Sequence, residues 1–336
     1  MDRRSFCWTA AAACGWVVAG GGGASRGLRA AEESRSVRPG TFALDGHRIR
    51  FTHPAIHKPG KMVMLADTHL FRQDDRDAEY RPYSARMAAA YNHTEHFETG
   101  KPTDPETCFQ ETLKVAQSQE ASLVAMVGDI VSFPSAAAVD WVQQQLQAVG
   151  LPHLYVAGNH DWHFEGLPGS SSELRAHWIR ERLLPLYGAD DPLTTTRVVH
   201  GVRVVALDNS DYQITDAQLE YFRRELATGE PVLLLVHIPL YAPLRPVGFG
   251  CGHPEWGGAA DRNFELERRE RWPESGHTAT TFEFHRLVFS SPQVLGVLAG
   301  HIHRPSVDIV NGIPQVVTGH NATGAHLQVE FHPGQG

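Results

Sequence analysis

Five short polar clusters with metal-binding side chains recur along this chain, and each closes an apolar run. In chain order they are Asp67-Thr68-His69, Gly128-Asp129, Gly158-Asn159-His160-Asp161, His237, and Gly300-His301-Ile302-His303. Carboxylate and imidazole groups are common ligands of transition metals. Together the clusters supply enough oxygen and imidazole ligands for two metal ions, with one histidine to spare. The sequence therefore predicts metal-dependent hydrolytic chemistry.

The elements that must position these clusters are strands, because each cluster follows a short aliphatic or β-branched run. The predicted strands are 62–66, 123–127, 153–157, 202–207, 232–236, 294–299 and 315–318. Helical spacing of apolar residues predicts helices at 105–119, 136–148, 173–184 and 216–226, the last with a cap at Thr215. A hairpin is predicted at 41–52, around Asp45-Gly46. The polar clusters thus lie at the carboxyl ends of strands, where α/β proteins place their sites.

Any one cluster alone is ordinary turn chemistry. Five of them in order, including the paired His301 and His303, are not expected from independent turns, so we predict one shared metal site. In a regular strand, residues i and i+2 share a face, so a turn after Gly300 is needed to aim the two imidazoles separately. Gly128 and Gly158 are predicted to supply similar backbone freedom.

The order D-x-H, G-D, G-N-H-D, H and G-H-x-H resembles the calcineurin-like metallophosphoesterase superfamily, over about residues 61–325. The resemblance implies a first metal ion held by Asp67, His69 and His303. It implies a second ion held by Asn159, His237 and His301. Asp129 would bridge the two ions, and His160 would remain free as the catalytic residue.

The resemblance also implies an α/β fold, a four-layer αββα sandwich with two mixed β-sheets, where the pattern alone would also allow a doubly wound single sheet. The implied activity is hydrolysis of a small phosphomonoester or phosphodiester by a metal-bridging hydroxide. The two ions would be Mn, Fe or Zn, divalent or trivalent. The alternatives are a nuclease or nucleotide phosphodiesterase of the same superfamily, and a catalytically silent metal-binding protein.

Two branches of the superfamily fit poorly. The segment Gly128-Asp129-Ile130-Val131-Ser132 does not continue to the Asp-Arg-Gly of the protein phosphatases. Purple acid phosphatases have Gly in place of His69 and a ligating Tyr in place of Ser132. The motifs do not choose the substrate among the remaining D-x-H enzymes.

The N-terminus predicts a leader rather than part of the fold. Arg3-Arg4 precedes an uncharged Ala/Gly-rich stretch, as in a bacterial twin-arginine signal, and we predict cleavage near Ala30 or Ala31. The expected location is periplasmic or extracellular, reached through the twin-arginine export machinery. No stable membrane anchor is expected, with a lipoprotein linked through Cys14 as a minor alternative.

The remaining 32–336 segment is predicted to be one catalytic domain with insertions at about 70–105 and 241–281. Residues 1–31 hold four arginines and one aspartate, so their removal would change the net charge from −8 to −11. A chain this acidic makes nucleic acid an unlikely partner. Cys108 and Cys251 could form a disulfide in an oxidising compartment, or remain two separate thiols. His163 is expected to be an exposed loop residue, and His320 a candidate substrate contact.

Overall fold

Two six-stranded β-sheets carry the apolar runs of the chain. The structure is a computed structural model that describes residues 40–243, 245 and 277–334. All of these belong to one compact unit, Val37–Gly336. The described strands are β1 (Thr41–Asp45), β2 (Arg48–His53), β3 (Gly60–Leu65), β4 (Thr94–Glu95), β5 (Pro102–Thr103), β6 (Leu123–Val127), β7 (His153–Val156), β8 (Thr194–Val199), β9 (Val202–Leu207), β10 (Val232–Leu235), β11 (Val294–Ala299), β12 (Ser306–Val310), β13 (Ile313–Val317) and β14 (Leu327–Pro333).

Both large sheets are mixed, as predicted. The first sheet has the order β1-β2-β14-β3-β6-β7, and the second has the order β12-β13-β11-β10-β9-β8. Strands β3, β6 and β7 run parallel in the first sheet, and β9, β10, β11 and β13 run parallel in the second. The carboxyl ends of the parallel strands in each sheet therefore meet at one edge.

Helices cover the outer face of each sheet. The described α-helices are α1 (Ala85–Ala90), α2 (Pro105–Ser118), α3 (Ala136–Val149), α4 (Ser171–Trp178), α5 (Leu184–Tyr187), α6 (Asp216–Ala227) and α7 (Ala279–Val288). A π-helical turn, Ile179–Leu183, joins α4 to α5, and 3-10 helices span Asp75–Tyr83 and Asn321–Thr323. The predicted cap is confirmed, because the Thr215 side chain accepts a hydrogen bond from the backbone of Gln218 at the start of α6.

The alternation of side chains along β3 shows how the layers pack. Met62 and Met64 belong to a core shared with Leu233 of the second sheet. Val63 and Leu65 point the other way, into a core that includes helix α2. A third core joins the outer face of the second sheet to α6 and α7. The layers therefore follow the order helix, sheet, sheet, helix, as the resemblance implied.

The first predicted insertion is largely ordered into short elements. It contains the 3-10 helix Asp75–Tyr83, helix α1 and the two-stranded sheet of β4 and β5. The predicted leader, most of the second insertion and Cys251 lie outside the described residues. Cys108 is buried, with Sγ 3.3 Å from Thr103 Oγ1, and its pairing with Cys251 stays a prediction. Along 40–243 and 277–334, no helix is long and apolar enough to cross a membrane.

Candidate metal centre

The eight predicted site residues follow the carboxyl ends of five strands, three in the first sheet and two in the second. In the first sheet, Asp67 and His69 follow β3, Asp129 follows β6, and Asn159 and His160 follow β7. In the second sheet, His237 follows β10, and His301 and His303 follow β11. Packing of the two sheets brings candidate ligands from both into shared groups, such as His69 with His303 across 234 residues of sequence.

The first group consists of Asp67, His69 and His303, whose candidate ligand atoms all lie within 4.8 Å of one another. His303 Nε2 lies 3.4 Å from Asp67 Oδ1 and 3.1 Å from His69 Nε2. Two imidazole nitrogens and a carboxylate oxygen therefore converge on one point. Burial lowers the pKa of His69 to about 3, which keeps this imidazole neutral and its lone pair available.

The second group consists of Asp129, His237 and His301, again with ligand atoms within 4.8 Å. Asp129 Oδ2 lies 3.2 Å from His237 Nε2 and 4.0 Å from His69 Nε2. This carboxylate therefore stands between the two groups. Burial works against its charge, yet His237 and His160 hold the pKa of Asp129 well below its usual value.

Asn159 is fully buried, and its amide is unusual. Among the described residues, neither its Oδ1 nor its Nδ2 has a hydrogen-bond partner. An unsatisfied buried polar group costs about 1–3 kcal/mol. A metal ion bound through Oδ1 would supply the partner that the described residues do not.

His160 lies at the edge of the two groups rather than within either. Its backbone N–H donates to Asp129 Oδ1 at 2.7 Å, and its ring centroid is 5.1 Å from that of His69. The residue is 8% exposed, more than Asp67, His69 or Asp129. The backbone of His160 thus binds the Asp129 carboxylate, and its imidazole lies beside the first group.

The backbone at the site adopts conformations that L-residues rarely use. Five predicted ligands have left-handed φ values between 52° and 73°, namely Asp67, His69, Asp129, His301 and His303. Such conformations cost energy and are concentrated at functional sites. They turn the chain sharply after the strands. The predicted need for a turn after Gly300 is thereby met, because His301 and His303 lie in this turn and not in a regular strand.

Two glycines make room for this arrangement, for different reasons. Gly128 has φ +81°, and a Cβ there would collide with the His237 ring. Gly158 is not left-handed, contrary to the expectation of backbone freedom. A Cβ at Gly158 would instead collide with the Asp129 carboxylate, so this glycine is needed for close approach.

Asp161 holds together the backbone of the two loops that carry Asp129 and Asn159. Its carboxylate accepts hydrogen bonds from the backbone N–H groups of Asp129 at 2.8 Å, Gly158 at 2.7 Å and Val131 at 2.9 Å. Burial and the nearby Asp129 charge raise the pKa of Asp161 to about 7. Asp161 therefore positions the ligand loops and is not itself one of the grouped ligand side chains.

Three further residues support the first group, and one of them, Tyr91, was not predicted. The Tyr91 ring stacks on His69 with centroids 4.2 Å apart, and its hydroxyl lies 3.4 Å from His303 Nδ1. Asn321 accepts a hydrogen bond from Thr68 Oγ1 at 3.0 Å. His320, expected as a possible substrate contact, stacks on the His303 ring at 5.2 Å. The only sequence signal for Tyr91 was its place in the first predicted insertion.

The expectation for His163 was wrong. The residue is only 4% exposed, and its ring centroid lies 6.3 Å from that of His160. The turn that carries Asn159 and His160 folds inward, and the neighbouring Trp162 and Phe164 are fully buried. Apolar neighbours on both sides were the signal for this burial.

Comparisons with known proteins identify the family and the fold of the chain. The sequence model of the calcineurin-like phosphoesterase family matches residues 60–305. A dimetal phosphatase from Danio rerio has a similar structure, with 13% identity, a TM-score of 0.50, and coverage of 81% of this chain and 93% of that one. A purple acid phosphatase from yellow lupin (Lupinus luteus) seeds shares 12% identity at a TM-score of 0.46, covering 82% of this chain and 46% of that one. No curated protein matches in sequence. At such identities the likeness to solved structures concerns the fold alone.

Proposed function

The chain belongs to the calcineurin-like phosphoesterase family, and from this premise we propose that it hydrolyses a phosphate ester with two metal ions. Asp67, His69 and His303 would hold the first ion. Asn159, His237 and His301 would hold the second. Asp129 would bridge them, and its position between His69 and His237 is the observation that carries the proposal.

The donor set fits two transition-metal ions. Two carboxylates, four imidazoles and one amide suit Mn, Fe or Zn better than Ca or Mg, which prefer all-oxygen sites. The amide of Asn159, without a partner among the described residues, supports the second site. Bound ions of this kind lower the pKa of water and neutralise charge on the phosphoryl oxygens.

The protein's own residues would supply the remaining chemistry. His160 is the proposed catalytic residue, because its imidazole lies beside the first group and the residue, although buried, is more exposed than Asp67, His69 or Asp129. It would stabilise phosphoryl charge or donate a proton to the leaving oxygen, a role worth about 10²–10⁴-fold in rate. Asp161 and Tyr91 would hold the ligands in place.

The test is a hydrolysis assay of the full chain loaded with Mn, Fe or Zn, on p-nitrophenyl phosphate and bis(p-nitrophenyl) phosphate. We expect turnover of at least one substrate and a loss of about 10²-fold or more in kcat for His160→Ala. His177→Ala, on the exposed face of α4, is the matched control and should retain full activity. Unchanged hydrolysis by His160→Ala would refute the assignment of His160, and no hydrolysis with any of the three metals would refute the proposed activity.

The bridging role of Asp129 has a separate test by elemental analysis. Asp129→Asn removes a charge that both ions would share, so the purified variant should lose at least one metal equivalent. Asp140→Asn, on the exposed surface of α3, should retain two. Two full equivalents in Asp129→Asn would contradict the bridging assignment.

We also propose export by the twin-arginine route, supported by Arg3-Arg4 and the uncharged stretch that follows. Replacement of both arginines by lysine should leave the protein in the cytoplasmic fraction of a bacterial host. Unchanged export of that variant would refute this route.

A further inference from the structure

An apolar pocket opens between the two sheets at the end that carries the candidate metal centre. Its volume is about 500 Å³, within the range of small-molecule sites. Strand β1, the β4–β5 connection, strands β12 and β13 and the start of β14 form its walls. The apolar lining includes Leu44, Phe97, Val307, Val316, Ala325 and Leu327.

Residues that line the pocket are close neighbours, in the chain, of residues at the candidate metal centre. Pro305 lines the pocket and lies two residues beyond His303. Gly319 lines it from the other side and directly precedes His320, whose ring stacks on His303 at 5.2 Å. The pocket therefore lies next to the candidate metal centre, separated from His303 by only a few residues of the chain.

The chemistry of the lining selects the kind of group that fits. Of the described residues that line the pocket, none is Asp, Glu, Lys or Arg, so a second phosphate or a carboxylate would find no charged partner there. The polar side chains are His47, Ser306, Thr318 and His326. Such a lining favours an uncharged and largely apolar group.

The rim of the pocket exposes large apolar side chains to water. Leu44 is 37% exposed, and Phe97 and Val307 are each 40% exposed. Exposed apolar side chains grouped around one opening are typical of ligand-binding or interaction sites. Burial of these side chains against a ligand would therefore contribute to its binding.

We propose that this pocket binds the alkyl chain of the substrate, which would make the substrate an amphiphilic phosphate ester. The inference rests on the proposed phosphoesterase function. Water would split the ester at the metal centre into inorganic phosphate, or a phosphomonoester, and a long-chain alcohol. The pocket would hold the alkyl part of that alcohol.

The first test measures how chain length changes activity. The metal-loaded full chain is assayed for phosphate release from butyl, hexyl and octyl phosphate, which share one reacting group. Because each buried methylene contributes about 0.8 kcal/mol, kcat/KM should rise by about threefold to fourfold per methylene. Equal values along the series would overturn the proposal, although hydrolysis of butyl phosphate would still support the proposed function.

A matched pair of variants locates the effect. Val307→Asp places a carboxylate at the rim of the pocket on β12, whereas Val198→Asp makes the same change on β8, at the opposite edge of the second sheet. We expect Val307→Asp to remove most of the chain-length dependence with butyl phosphate activity kept within about twofold. Val198→Asp should retain the full dependence. An unchanged dependence in Val307→Asp would exclude the pocket.

A second measurement does not depend on catalysis. Titration calorimetry of the metal-loaded full chain with 1-octanol should show binding that Val307→Asp weakens by about tenfold and Val198→Asp leaves unchanged. Absence of octanol binding would overturn the proposal whatever the activity.

Discussion

At the scale of residues, the proposed ligands depend on partners that lie far away in the chain. The five clusters could be found from sequence because each ligand belongs to a short motif. Tyr91 could not, because it belongs to none of the motifs and meets His303 across a separation of 212 residues. Asp161 lay within a motif, yet its three backbone hydrogen bonds depend on turns that only the folded chain forms.

Tyr91→Phe tests one such partner. The change keeps the ring that stacks on His69 and removes the hydroxyl near His303 Nδ1, which helps to fix the orientation of that ligand. Loss of a contact behind a metal ligand typically costs 10–100-fold in metal affinity. We expect at least about tenfold weaker binding at one of two sites, measured by competition with a chelator.

Tyr221→Phe is the control for Tyr91→Phe. It removes a hydroxyl that is bonded to Thr196 on the outer side of the second sheet, away from the ligands. Metal affinity in this control should match the unchanged protein. Equal affinities in all three proteins would show that the Tyr91 hydroxyl has no positioning role.

At the scale of elements, the strands and helices with strong periodicity were predictable. The seven predicted strands and three of the four predicted helices are confirmed to within two residues at each end, whereas the predicted helix 173–184 is divided into α4, a π-helical turn and α5. Among the strands of the two large sheets, β8, β12 and β14 were not predicted, and neither was the small sheet of β4 and β5. In β14, the polar residues Gln328 and Glu330 alternate with apolar ones, so the strand is not a continuous apolar run. Their side chains pair with Arg48 and Arg50 on the neighbouring strand.

Gly128→Ala tests the turn between β6 and Asp129. Alanine would be strained in the left-handed backbone conformation at this position, and its methyl group would also collide with the His237 ring. Strain and overpacking together should lower the free energy of unfolding by about 2–4 kcal/mol and reduce metal content. Urea denaturation and elemental analysis measure the two effects.

Gly150→Ala separates backbone strain from steric contact. Gly150 ends helix α3 with a φ of 68°, but no atom lies within 4 Å of the position its Cβ would take. This variant should lose about 1 kcal/mol and retain full metal content. If Gly128→Ala behaved the same way, contact with His237 would not explain the glycine.

At the scale of the whole molecule, both candidate metal groups draw on both sheets. The first combines Asp67 and His69 with His303, and the second combines Asp129 with His237 and His301. The sequence clusters predicted one shared site, but the contribution of two sheets was predicted only through the resemblance, because the pattern of strands alone also allowed a single sheet. The packing of two sheets is decided by side chains from distant segments, such as Met64 and Leu235.

Removal of the proposed metals should therefore destabilise the whole molecule. A ligand present at about 1,000 times its dissociation constant stabilises the folded state by about 4 kcal/mol. Stripping the protein with a chelator should lower Tm by roughly 10 °C. Asp129→Asn should show a smaller drop under the same treatment. An equal Tm with and without chelator would contradict metal binding in the folded protein.

The joint origin of the two groups has a mechanical consequence. With ions bound, the two sheets would be cross-linked at one end of their shared core. Neither sheet could then move away from the other without breaking its bonds to the shared ions. The chain between Asp67 and His301 would then behave as a closed loop of more than 200 residues, which restricts partial opening. Amide protons on the inner strands of both sheets would then exchange as one cooperative unit, and only when the sheets separate from the shared ions.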